Sequence, residues 1–134
     1  MVVDASAVVA IMRMEPEAEV FLKAIADAQI CVMSTVGFLE AAMVLAKGQD
    51  TAAIWPKLDR FLAESHIEIA PFDPEQSRLA REAFAKYGKG RHKAGLNLGD
   101  CAVYALAMAR RMPLLFKGND FPWTDVPMVL PPPH

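Results

Sequence analysis

The chain has 134 residues, of which 54% are apolar, and a formal net charge of −2. That is enough for one domain with a substantial core, and it excludes a polycation, so any contact with nucleic acid must come from a local basic patch. No apolar run approaches the roughly 18 residues of a membrane helix, and Asp4 falls where the apolar core of a signal peptide would lie. A cytoplasmic protein without a membrane segment is expected, its apolar excess pointing to a partner or dimer surface.

Met1-Val2-Val3-Asp4 reads as a short apolar strand that ends in a carboxylate, with an apolar turn of helix from Val8 to Met12 behind it. Pro16 suits a first helical position, and Glu17 to Ala28 has helical periodicity through Val20, Phe21, Ala24 and Ile25. Ile30 to Met33 is a second strand. Ser34 or Thr35 then caps a helix to about Lys47, stopped by Gly48. A further helix runs from near Thr51 to Ser65, with Pro56 in its first turn or kinking it. Ile67 to Ile69 is a strand, and Asp73 caps a helix from Pro74 to about Tyr87 that turns Leu79, Ala80, Ala83 and Phe84 inward. Leu114 to Phe116 is a fourth strand, and Val126 to Leu130 is predicted as a last edge strand.

Short apolar strands alternating with helices define an α/β fold. The expectation is a three-layer α/β/α sandwich around a mostly parallel sheet, with residues 1–130 as a single domain and 131–134 as a proline-rich tail. Strand order is not readable from this pattern. Cys31 and Cys101 read as small buried hydrophobes, and His66, His92 and His134 lack metal-ligand spacing.

Leu96 to Ala109 is the most informative stretch. Asn97 is placed to cap a helix, and from Cys101 to Ala109 every residue is apolar or aromatic, so that helix should run through the core. Arg110, Arg111 and Pro113 close it. Asp100 lies in its first turn, as a capping-box carboxylate or as a functional one.

In open parallel sheets ligands bind beyond the carboxyl ends of the strands. Asp4 ends the first strand, Asp120 follows the fourth, and Asp100 opens a helix packed on the sheet. Glu40 is set within an apolar helix, either as part of a solvent stripe with Lys47 or as a fourth member of one site. Several carboxylates in one cleft push protons onto each other unless a cation compensates them, and all-oxygen ligation suits Mg²⁺ or Mn²⁺. Such a metal polarises phosphoryl oxygens and activates water. Ser6 can hydrogen-bond a carboxylate or a metal-bound water, or it can cap the helix after the first strand.

No acidic residue lies between Ala83 and Gly99, while Lys86, Lys89, Arg91, Lys93 and His92 gather there. Four of the seven glycines fall between Tyr87 and Asp100, which predicts a mobile basic loop feeding into the Asp100 turn. Lys89, Arg91 and Lys93 are the expected phosphate contacts.

Taken in order, Val3-Asp4-Ala5-Ser6, Glu40, Tyr87 to His92 running into Leu96 to Cys101, and Leu114 to Phe121 followed by Thr124-Asp125 resemble a PIN-domain ribonuclease of the VapC toxin type, over essentially the whole chain. The resemblance implies Mg²⁺- or Mn²⁺-dependent RNA cleavage, a homodimer, and neutralisation by a cognate antitoxin. Asp4, Glu40 and Asp100 carry over as metal-site residues. The fourth position falls to Asp120, Asp125 or the amide of Asn119; Asp120 is chosen because it lies just beyond a strand end, and Ser6 and Asn119 are counted with the substrate contacts. A receiver-type phosphoacceptor domain and a non-catalytic PIN-like module that binds RNA or a partner are the alternatives. The first would need an acidic neighbour for Asp4 and a phosphoacceptor at a strand end, whereas Asp50 follows a helix.

Overall fold

The computed structural model describes residues 1–131; Pro132, Pro133 and His134, most of the expected tail, lie outside the described residues. Its elements are β1 (Val2–Val3), α1 (Ala5–Met12), α2 (Ala18–Asp27), β2 (Cys31–Ser34), α3 (Thr35–Ala46), α4 (Thr51–Glu64), β3 (Ile67–Ala70), α5 (Pro74–Tyr87), α6 (Leu98–Arg110) and β4 (Leu114–Leu115), with a 3-10 turn at Phe121–Trp123. The four strands pair in parallel in the order β3-β2-β1-β4. Val2 sits opposite both Val32 and Leu114, so β1 lies in the middle of the sheet.

Both faces of the sheet are covered, as the buried apolar strands β1, β2 and β4 require, while the edge strand β3 carries Glu68 and is exposed at its centre. Val2, Val32 and Leu114 point into one core with Ala80 and Ala83 of α5 and Val103 and Leu106 of α6. Val3, Met33 and Leu115 point into the other with Val8, Phe21, Leu45 and Leu58 from α1 to α4. Cys31 and Cys101 are buried free thiols in opposite cores.

Capping chemistry sets most helix starts. Ser34, Asp50, Asp73 and Asn97 each accept a hydrogen bond from a first-turn backbone amide. α1 begins at Ala5, three residues before the predicted Val8, because Asp4 itself is the cap. α2 begins at Ala18 rather than at Pro16. Glu17 takes the N-cap place without capping, its carboxylate being turned to Lys117 instead. Pro56 lies well inside α4, past the first turn, where its missing N–H leaves one backbone bond unmade.

Two further expectations need correction. Phe84 is 45% exposed, because the buried face of α5 runs through Gln76, Ala80, Ala83 and Tyr87 and leaves it at the margin. The segment after Val126 forms a single bridge from Met128 to Leu114 rather than a strand. Pro127 accepts from Leu114 through its carbonyl but has no N–H with which to extend a ladder.

Candidate functional site

The order β3-β2-β1-β4 places the point where the strand order switches direction between β1 and β4, and a crevice opens beyond the carboxyl ends of those two strands. A cavity of about 280 Å³ there is lined by Asp4, Ser6, Glu40, Asn97, Asp100, Lys117 and Asp120, among others.

Asp4 is delivered by β1, with its backbone amide bonded to the Leu115 carbonyl at 2.9 Å. It is 4% exposed. Its Oδ2 accepts from the backbone amide of Ser6 at 3.1 Å and from the Ser6 hydroxyl, while its Oδ1 is buried with no partner among the described residues. Burial drives its carboxyl above the ordinary range, opposed by the hydrogen bonds from Ser6 and Ala5. The Ser6 hydroxyl also accepts from the Lys117 amide at 2.9 Å, so it ties the end of β1 to the loop after β4. Ser6 is therefore a buttress on the cavity wall, and Asp4, not Ser6, caps α1.

Glu40 comes from the middle of α3 and is half-buried, so it does not belong to a solvent stripe. The exposed side of that helix is instead apolar, carrying Leu39 and Met43. Burial first, and then the charges of Asp4 and Asp100, push the Glu40 carboxyl up to about 7. Asp100 makes the expected cap and lines the cavity as well. Its Oδ2 accepts from the Asn97 amide at 3.1 Å and its own amide donates to Asn97 Oδ1 at 2.9 Å, a complete capping box, while it faces the same cavity. Burial, with Asp4 and Asp120 nearby, lifts it to about 6 against the pull of the Asn97 amide.

Asp120 stands at the start of the 3-10 turn with no capping bond, exposed and on the cavity wall. Asp125 is not on that wall; it accepts a hydrogen bond from Tyr104 of α6 at 2.5 Å. Asn119 is exposed and also stands off the lining. Among the described residues no three ligating side chains are close enough to enclose an ion as they stand.

The basic loop is folded on itself rather than loose. The Lys89 amide donates to the Leu96 carbonyl and the Leu96 amide to the Tyr87 carbonyl, forming a Gly88–Leu96 bridge, and the Ala94 amide donates to His92 Nδ1. Gly90 and Gly95 take positive φ of 84° and 61°, tight turns that favour glycine. Lys93 Nζ lies 3.8 Å from the centroid of the Trp123 ring, which brings the loop against the turn that follows Asp120. Arg91 packs over Phe84 and bonds the Ala85 carbonyl, and Lys89 is exposed.

Two polar lining residues carry no functional signal in the sequence. Asn97 has the local pattern of a cap alone. Lys117 is a cation on the wall of an acidic cavity, yet its Nζ is held by Glu15 at 2.9 Å and Glu17 at 3.0 Å. No local pattern marks that pairing, since the partners are far apart in the chain.

The family model for the PIN domain matches residues 1–126. Ribonuclease VapC28 of Mycobacterium tuberculosis is 44% identical over 131 residues, covering 97% of this chain and 98% of the relative. Ribonuclease VapC of Mycolicibacterium smegmatis is 45% identical over 131 residues, covering 96% and 99%. Among solved structures, Mycobacterium tuberculosis VapC20, described as a sarcin-ricin loop cleaving toxin, superposes with a TM-score of 0.75 at 13% identity, covering 97% of this chain and 98% of that one. VapBC2 from Rickettsia felis, bound to a DNA fragment from its promoter, gives 0.74 at 18% identity, covering 95% and 94%.

Proposed function

We infer that this chain, which belongs to the PIN-domain family and within it to the VapC ribonucleases, is an endoribonuclease that acts as the toxin of a toxin–antitoxin pair. The observation that carries the reading is the gathering of Asp4, Glu40, Asp100 and Asp120 around one cavity at the carboxyl ends of β1 and β4. The receiver-type alternative has no counterpart in the fold, because Asp50 caps α4 instead of ending a strand.

The residues fit a hard divalent cation, Mg²⁺ or Mn²⁺. The donors are carboxylate oxygens, Asp4 Oδ1 is buried without a partner among the described residues, and the carboxylate charges that add to burial in raising Glu40 and Asp100 are what a cation would relieve. Asp4, Glu40 and Asp100 would hold it, and Asp120 supports the set from the exposed rim. Bound there, the ion supplies Lewis-acid polarisation of a phosphodiester and a water of lowered pKa. The chain contributes the rest. Ser6 fixes the Asp4 rotamer, the Asn97 capping box fixes Asp100, and Lys89 and Lys93 offer positive charge to the RNA backbone beside the acidic cavity. Arg91 belongs to the same basic group, although its guanidinium rests on α5.

An antitoxin is the expected protein partner, and a homodimer the expected assembly. The exposed apolar side chains Leu39 and Met43 on α3, and Phe84 and Leu98 near α5 and α6, support such contacts. No described helix is long and apolar enough to cross a membrane. Antitoxin-free protein incubated with a mixed RNA pool should cleave it with Mn²⁺ and not with a chelator, and Asp4→Asn should be inactive. Persistent cleavage in chelator, or in the variant, would overturn the assignment, and no cleavage with metal would favour a binding-only module.

A further inference from the structure

We propose that Gly99 is a positioning residue for the carboxylate set: the side chain it lacks is the space in which the Glu40 carboxylate of α3 lies, bringing it to the cavity beside Asp100. The inference rests on the ribonuclease reading above. Gly99 is buried in the first turn of α6, directly before Asp100. A methyl group on its Cα would overlap Glu40 Oε2 and stand 2.9 Å from Cδ and 3.2 Å from Oε1. The backbone does not ask for glycine there, because Gly99 is not among the residues with positive φ. In a helix glycine is also less stable than alanine, so local structure alone would favour the larger residue.

Glu40 gains from the vacancy because, among the described residues, no hydrogen bond or ion pair anchors its carboxylate. No hydrogen bond contributes to the state of its carboxyl, so the shape of the facing helix decides where the carboxylate rests. Gly37 provides the contrast on α3 itself. It is buried too, yet a methyl group there would meet Val103 at 3.7 Å and Met33 at 3.8 Å, which are ordinary van der Waals contacts. Both glycines lie where α3 and α6 pack together, and Gly99 alone of the two leaves room for a carboxylate.

The test uses the full chain as wild type, Gly99→Ala, Gly37→Ala, Glu40→Ala and the double variant Glu40→Ala with Gly99→Ala. Mn²⁺ affinity is measured by calorimetry and melting temperature in metal-free buffer. Gly99→Ala should weaken Mn²⁺ binding by roughly tenfold or more, the scale of lost ligand orientation, while Gly37→Ala leaves it unchanged. In the Glu40→Ala background, Gly99→Ala should change Mn²⁺ affinity no further and should raise the metal-free melting temperature, because the overlapping carboxylate is gone.

Unchanged Mn²⁺ affinity in Gly99→Ala, or an equal loss in both backgrounds, would overturn the proposal. If Gly99→Ala does not fold, restored folding in the double variant supports the overlap, and failure in both backgrounds rejects it. A wild type that neither binds Mn²⁺ nor cleaves RNA removes the ribonuclease reading and this one together. A wild type that does both, beside a Gly99→Ala variant that binds Mn²⁺ equally, removes only this one.

Discussion

Raising the pH in the absence of divalent cation should destabilise the folded chain, because the cavity holds protons that the unfolded chain releases. Glu40 is lifted from 4.5 to about 7 and Asp100 from 3.8 to about 6, in both cases first by burial and then by neighbouring carboxylates. The groups facing them are Asp4 and Asp120; among the described residues the one cation on the wall is Lys117, held by Glu15 and Glu17. A carboxyl whose folded value is raised contributes stability that is complete below its unfolded value and is lost as pH rises through the folded value. Glu17, lowered by Lys117, works in the opposite sense but only as pH falls below its ordinary 4.5, outside this window.

One pH unit of displacement corresponds to about 1.4 kcal/mol, so the share due to Glu40 alone is at most roughly 3 kcal/mol, with Asp100 adding to it in the same direction. The Glu40 side chain is only half-buried, and solvent screening brings the expected figure to about 1–2 kcal/mol. For a domain of this size that is a fall of roughly 3–10 °C in melting temperature between about pH 5 and pH 8. Thermal melts in chelator across that range, for wild type and Glu40→Gln, measure it. Wild type should fall, Glu40→Gln should fall less and be the more stable of the two at the high end, and Mn²⁺ should restore wild type there. A wild-type melting temperature that is flat or rises with pH, or a Glu40→Gln curve that tracks it, would refute the reasoning.

Asp4→Asn and Asp100→Asn should each keep the fold, abolish RNA cleavage, and shrink the rise in melting temperature on adding Mn²⁺, as read by a nuclease assay and thermal melts. Replacing Lys89, Arg91 and Lys93 together with Ala should weaken RNA binding and flatten its salt dependence by a slope of about 0.7 per lost contact, with Arg91 contributing least given its packing on Phe84. Asp120→Asn should slow cleavage while leaving Mn²⁺ binding largely intact. Asp125→Asn should instead cost about 1 kcal/mol of stability by weakening the bond from Tyr104, with cleavage little changed; a folded but inactive Asp125→Asn beside an active Asp120→Asn would reverse the two roles.

What the sequence by itself determined is whatever is governed by neighbours along the chain. Ser34, Asp73 and Asn97 start their helices where they were expected to, because a cap acts on amides two or three residues ahead. The α/β class followed from short apolar strands between amphipathic helices, and the chemistry of the candidate site from four carboxylates that no adjacent charge explains. Local reading failed where one residue did two jobs: Asp4 both ends a strand and caps a helix, so α1 began early and Ser6 was freed to bridge to Lys117. The tertiary structure alone decided the order β3-β2-β1-β4, the burial that lifts Glu40 and Asp100, the capture of Lys117 by Glu15 and Glu17, and the fit of Glu40 against Gly99. Each of these depends on which surfaces meet across the core, and no short-range pattern encodes that meeting, since its free energy resides in contacts between segments far apart in the chain.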